Sequence, residues 1–448
     1  MSTAVINSEL DTAFTGEEEF LCRVAGLTIH PLETSCKDPQ YVVRLPGGKL
    51  IRISKKVREV LDELELPITH GQLASNLACR WNHVVTPDDV RQIISRLLKP
   101  SHLLAGDDTS NKPPARTSGS FWWRKFLLQD FFFSFKLIPS SVVTKVARRT
   151  APIINKFLVP VVVALLILAS ISAYRDFAAL RDSGQFKITD PAQYMLVLIY
   201  VFLSIVFHEL GHASAVAKFG GVPDDIGFGL YFIYPALYAN VNQSWYFSRK
   251  QRVVIDLGGI YFQIIASLCW YAAYLKTHNL GFLLTFLILE LLWIYSLIPF
   301  FKFDGYWVVS DALGVPNLRR RSVQILARGA LGIIARKQSG PAWDLDLPKG
   351  IQAAVMLYGA GVVAFMGFVI WSLIHFAPSR VIQYPAYARA VFDKIALGAS
   401  ARSYSLVTVE VIQLFLRTMM LLGFTMICMS FIASLYQSVR SYLKGRSS

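Results

Sequence analysis

The chain has 448 residues, 54% of them hydrophobic and 13% aromatic, with only 17% charged. Apolar residues gathered into long blocks exclude an ordinary soluble enzyme and point to a membrane protein. Lys and Arg number 45 against 30 Asp and Glu, a net +15 concentrated between the apolar blocks, which fits cytoplasmic loops rather than a nucleic-acid-binding surface.

The opening MSTAVINSELDTAFTGEEEF is polar and acidic and lacks a secretory signal pattern, so a polar tail over residues 1–24 is expected in the cytosol. Cys22, Cys36, Cys79, Cys269 and Cys428 form no C-x-x-C pair and are expected as free thiols. Residues 25–104 predict a small α+β domain. QYVVRLP and KLIRIS alternate around Gly47-Gly48, a hairpin signal. Three amphipathic helices follow, started by Ser54, by Thr69 with Gln72, and by Thr86-Pro87 with Asp89.

A hairpin followed by three short helices is a winged-helix-like order. The stretch YVVRLPGGKLIRISKKVREVLDELELPITHGQLA resembles the PqqD-like domains, a resemblance that implies recognition of the leader of a precursor peptide by strand addition. A structural or DNA-binding winged helix is the alternative. Asp88 and Asp89 at the start of the third helix face where phosphates would lie, which disfavours DNA.

Residues 105–120 have linker composition, and residues 121–153 mix aromatics with Lys and Arg, suiting either an interfacial segment or an amphipathic packing helix. Six apolar blocks follow within a transmembrane domain at 154–437, near 154–174, 192–217, 253–275, 281–301, 351–375 and 418–437. The basic residues before the first block, those after the fourth (Arg319, Arg320, Arg321) and the tail at 438–448 all fall on one side of such a path. The expectation is a multi-pass, mainly α protein of the cell membrane with both termini cytoplasmic. The segment at 227–242, marked by Gly, Pro and Asn, reads as a re-entrant hairpin.

The second block carries His208-Glu209-Leu210-Gly211-His212. On a helix the two histidines lie one turn apart on one face, the spacing that grips one zinc ion, with Glu209 beside it to take a proton from water. Ionisable groups on a membrane helix are expensive and mark function by default. A catalytic zinc usually has three protein ligands, and Asp304, just past the fourth block in IPFFKFDGYW, is the candidate third. His208 sits about 24 Å into a span that runs inward, so it and Asp304 meet at one depth.

HELGH on one helix and FDG after a later one resemble the site-2 protease family of intramembrane metalloproteases. The resemblance implies His208, His212 and Asp304 as zinc ligands and Glu209 as the catalytic glutamate. The family pattern has an asparagine and a proline before its aspartate; Pro299 matches, but Ser296 stands at the asparagine position. Residues 190–315, with the run SLIPFFKFDGYW, are most similar to peptide zinc metalloproteases of modified-peptide pathways. The substrate this implies is a precursor peptide. A membrane-tethered regulator is the alternative, as is a non-catalytic export or immunity protein. Glu290, mid-span, is expected to pair with Arg417; Asp256 reads as an interfacial or helix-pairing residue; His102, His278 and His375 read as solvated.

Overall fold

The computed structural model describes residues 20–46, 48–105, 131–186, 190–231, 234–335 and 347–400, with scattered positions between 404 and 433. They fall into two compact units, one of residues 20–33 and 38–105, the other of residues 34–37 and those from 131 onward.

In the first unit, strands β1 (Thr28–Leu32), β2 (Gln40–Arg44) and β3 (Leu50–Ser54) form an antiparallel sheet in that order. The hairpin read from alternation is present, with Val43 opposite Ile51 and Gln40 opposite Ser54. Gly48 supplies a φ of 80° and donates to the Leu45 carbonyl at 2.8 Å, while Gly47 lies outside the described residues. Strand β1 was not expected, because Pro31 interrupts it; a proline is tolerated there because β1 is the sheet edge. Helices α1 (Lys55–Glu63), α2 (His70–Trp81) and α3 (Pro87–Ile93) start at Ser54, Thr69 and Thr86, the last two as capping boxes. Val60, Leu61, Leu73, Leu77 and Val90 from these helices close on Val43 and Ile53 of the sheet. Leu21 belongs to this unit, its N–H on the Ile68 carbonyl at 2.9 Å, so the polar tail ends before residue 24.

The second unit begins with β4 (Phe131–Ile138), where an interfacial segment was expected. Its aromatic-rich sequence suits a strand, but its partner is distant in the chain and no local pattern announces it. β4 pairs with β5 (Ile226–Tyr231), which pairs with β6 (Tyr234–Ala239), all antiparallel. The 227–242 segment is thus largely a β-hairpin. Helix α4 (Ser140–Thr150) buries Val143 and Ala147 against Ala213 and Ile226, the packing role weighed for this region.

Four helices among the described residues are long and apolar enough to cross a membrane: Leu158–Asp182, Ala192–Lys218, Arg249–Thr277 and Lys349–Ser372. The first is α5; the second belongs to α6 (Pro191–Lys218), the third is α7, and the fourth opens α11 (Lys349–Ser400). The expected end at 375 gives way to a single 52-residue helix, in which prolines past that point are carried without a break. The expected span at 281–301 is shorter: α8 (Leu280–Ser296) has 17 residues. Pro299 accounts for this, since it offers no N–H to a helix and disfavours helical backbone at the residue before it. Helices α9 (Asp304–Leu313) and α10 (Leu318–Ala335) follow. The expected sixth span, 418–437, lies largely outside the described residues.

The apolar window of α7 is 50% buried and that of α5 only 17%, so α7 is central and α5 peripheral. On α5, Val161, Leu165, Leu168 and Ile171 face outward, as contact with lipid would require. Its other face, with Leu166, Ala169 and Ala173, packs on Ile260, Ile264 and Tyr271 of α7 and Phe286 of α8.

The expected Glu290–Arg417 pair is not made. Glu290, 3% exposed, accepts a hydrogen bond from the Ser170 hydroxyl and contacts Tyr174, both on α5. Arg417 lies over the Tyr387 ring, 4.4 Å from its centroid. The carboxylate therefore ties α8 to α5 through hydroxyls rather than through a second charge. In a thermal-stability double-mutant cycle, Ser170→Ala and Glu290→Gln should couple by roughly 1 kcal/mol, whereas Glu290→Gln and Arg417→Gln should add within about 0.5 kcal/mol.

Candidate metal centre

Helices α6 and α7 meet backbone to backbone. A Cβ on Gly211 would fall on the Gly258 carbonyl, and one on Gly258 would come within 2.7 Å of the Gly211 carbonyl oxygen. Only glycine at both positions allows this approach, the small-residue contact by which apolar helices pack closely in a membrane. Gly211 is the fourth residue of HELGH. The motif's glycine thus sets how near α7 can come to the histidines on either side of it.

Both imidazoles use that proximity. His212 donates through Nδ1 to the Ile255 carbonyl at 2.8 Å, and His208 donates through Nδ1 to Oε1 of Gln263 at 2.8 Å. Because each acceptor has no proton to give, the ring proton is fixed on Nδ1 and Nε2 is turned to the opposite side. The two Nε2 atoms lie 3.2 Å apart. Asp304, the first residue of α9, closes the triangle, with Oδ2 3.0 Å from Nε2 of His208 and Oδ1 3.4 Å from Nε2 of His212. Its Oδ2 also accepts from the Ser296 hydroxyl at 2.8 Å.

These three side chains fit a metal ion. Tetrahedral zinc with bonds of about 2.0–2.1 Å needs ligand atoms about 3.3 Å from one another, close to the separations observed. Their chemistry fits as well: two imidazoles with Nε2 turned inward, one carboxylate, and a hydrogen-bond partner behind each ligand. The space between them is kept by Gly259, since a Cβ there would fall on Nε2 of both histidines. His208 and His212 are each 8% exposed. Among the described residues, no other group of three His, Cys, Asp or Glu side chains could hold an ion.

Glu209, also 8% exposed, points elsewhere on the same helix. Its Oε2 accepts from the main-chain N–H of Ala239 at 2.6 Å. Ala239 ends β6, so the β6 edge turned away from β5 runs beside the glutamate. The other side of the sheet is anchored by Asp225, which accepts from Ser140 N at the start of α4 and pairs with Lys136 of β4. The hydrogen bond from Lys136 holds the Asp225 carboxyl below the usual range.

Helix α9 is positioned by its far end. Arg252 of α7, 2% exposed, pairs with Asp311 at 2.8 Å and donates to the Phe247 carbonyl at 2.9 Å. Arg249 donates to the Asp311 and Ala312 carbonyls, placing a second cation at the C-terminus of α9, where the helix dipole favours it. Asp256 reaches Asp311 as well, a helix-pairing position rather than a ligand one.

The structure therefore brings together His208, His212 and Asp304, leaves Glu209 on the same helix as the histidines but turned to β6, and adds Gln263, Ile255, Gly259 and Ala239. Gln263 carried a signal, an amide within an apolar helix. The main-chain groups of Ile255 and Ala239 carry none, because their part depends only on position. A Gly259→Ala chain should keep its helix content, measured by circular dichroism, yet lose retention of a divalent metal, because the added methyl occupies the space between the ligand atoms.

No family profile and no solved structure matches the chain. A Bacillus subtilis (strain 168) protein named "Putative peptide zinc metalloprotease protein YydH" is 25% identical over 129 residues, which is 28% of this chain and 51% of that relative. The chain thus matches about half the length of a distant relative named as a peptide zinc metalloprotease.

Proposed function

We propose that the chain is an intramembrane zinc metalloprotease of the site-2 type, and that it cleaves a precursor peptide. The observation that carries this reading is the convergence of His208, His212 and Asp304, with ligand atoms 3.0–3.4 Å apart on apolar helices. The name of the distant relative supports both the metal and the reaction class.

Zinc bound there would supply Lewis acidity at a scissile carbonyl and make a water more acidic. Glu209 would take a proton from water as the water oxygen attacks the carbonyl carbon, and would pass that proton to the amine released when the C–N bond breaks. The Ala239 N–H holds Oε2 of Glu209, which leaves Oε1 as the proton acceptor. An extended peptide can pair with the edge of β6 turned away from β5 and so lie beside Glu209 as a strand; helical substrate would have to unwind first. The front unit, with its three-stranded sheet and capped helices, would bind the leader of the precursor, and the linker at 105–120 would let it deliver the peptide. Both termini, the basic tail at 438–448 included, lie in the cytosol in this reading, and the apolar helices cross the cell membrane. Nucleic acid has no part in it.

Zinc content of the chain purified in detergent tests the assignment. Near-stoichiometric zinc is expected in the native chain and in Glu209→Gln, with loss in His208→Ala and Asp304→Asn. Glu209→Gln should also lower the rate of peptide cleavage by at least about 100-fold while zinc stays in place. Native folded chain without zinc would refute the reading.

A further inference from the structure

We infer that Gln263 is a positioning residue for the metal centre: its amide oxygen, on Nδ1–H of His208, holds that ring in the one tautomer and orientation that can bind metal. The inference rests on the zinc reading above and deepens it.

The two histidines are held differently, and the geometry of the crossing explains why. At His212 the α7 backbone is close enough, beside the Gly211–Gly258 contact, for a main-chain carbonyl to serve as acceptor. One turn away, at His208, the acceptor is a side chain instead. Ile255, Gly259 and Gln263 follow one another at intervals of four residues along one face of α7, spanning about 12 Å, while the histidines are only about 6 Å apart along α6. Side chains on a helix lean toward its N-terminus, so Gln263 leans back over Gly259 toward the site. Its two methylenes bring the carbonyl oxygen to 2.8 Å from the ring.

The burial is as informative as the distance. Gln263 is 3% exposed on an apolar helix, where an amide costs free energy unless its polar atoms are bonded. A merely structural amide would cross-link helices through any available partner. This one is bonded to the nitrogen opposite the ligand atom of a candidate metal ligand. Had the amide nitrogen faced the ring, it would have driven the imidazole proton to Nε2 and blocked the ion. The acceptor character of residue 263, rather than its bulk, is the property required.

The full-length chain in lipid nanodiscs, titrated with zinc against a chromophoric chelator, separates the two roles. Gln263→Met, of similar shape but with no oxygen acceptor, should bind zinc roughly 10- to 100-fold more weakly. Gln263→Glu, which keeps the acceptor, should remain within about threefold of the native affinity. A Met variant that binds zinc as tightly as the native chain would overturn the inference, as would a Glu variant as weak as Met. If either variant fails to fold, the zinc-loaded native chain decides alone. A slowly exchanging Nδ1 proton, seen in nitrogen-15 histidine-labelled protein and assigned by its loss in His208→Asn, is expected, and its absence refutes the proposal. Native chain that takes up no zinc would remove the metal reading itself, a different failure from either of these.

Discussion

The close approach of α6 and α7 at Gly211 and Gly258 is the constraint on which the site depends. Apolar helices in lipid gain little by burying apolar surface against one another, so what holds them is contact area and hydrogen bonding at short range. With no side chain at either position the backbones touch. That contact places the Ile255 carbonyl and the Gln263 amide within hydrogen-bond reach of two imidazoles that would otherwise be uncompensated polar groups on a membrane helix. A larger residue at either glycine would move α7 away, and both ring orientations would be lost together.

The third ligand is brought in by a different device. Asp304 opens a helix of ten residues, and the other end of that helix is fixed by the buried Arg252–Asp311 pair and by Arg249 on the last carbonyls. Since those arginines belong to the first turn of α7, one helix controls all three candidate ligands: His208 and His212 along its middle, Asp304 through its start. A buried ion pair is weak evidence for net stability, because desolvation offsets attraction, but it discriminates sharply between positions. Here it specifies where α9 lies, and so where Asp304 projects.

The two histidines and the two carboxylates proposed for the site could be read from sequence because each was out of place. HELGH inside an apolar block and FDG just after one violate the cost of ionisable groups in hydrocarbon, and helix periodicity put the two histidines on one face. The caps of the front unit, Ser54, Thr69 and Thr86, were legible for a similar reason, as local side-chain chemistry at fixed offsets. The parts that could not be read are long-range pairings. Strand β4 finds its partner about ninety residues away, and nothing in FFFSFKLI distinguishes a strand from an interfacial segment until β5 is beside it. Glu290 was assigned a charged partner on the expectation that a buried carboxylate seeks a cation, yet two hydroxyl-bearing residues on α5 meet it. Hydropathy also overran the end of α8, because apolar content continues through Leu297 and Ile298 although Pro299 has already ended the helix.

Ser296 shows how a departure from a family-like pattern can be read physically. In the site-2 protease pattern, an asparagine stands eight residues before the aspartate, where this chain has Ser296. The serine here is the last residue of α8, and its hydroxyl is spent on Oδ2 of Asp304 at 2.8 Å. The helix ends there, and the chain turns sharply enough for Gly305 to lie against the Leu297 backbone, which brings residues 296 and 304 together. A short hydroxyl suits that distance. Each of the three candidate ligands then has its own partner: an amide oxygen for His208, a main-chain carbonyl for His212 and a hydroxyl for Asp304. Two accept a proton from the ligand and one donates to it, the polarity that turns the Nε2 atoms toward the metal position and spreads part of the carboxylate charge.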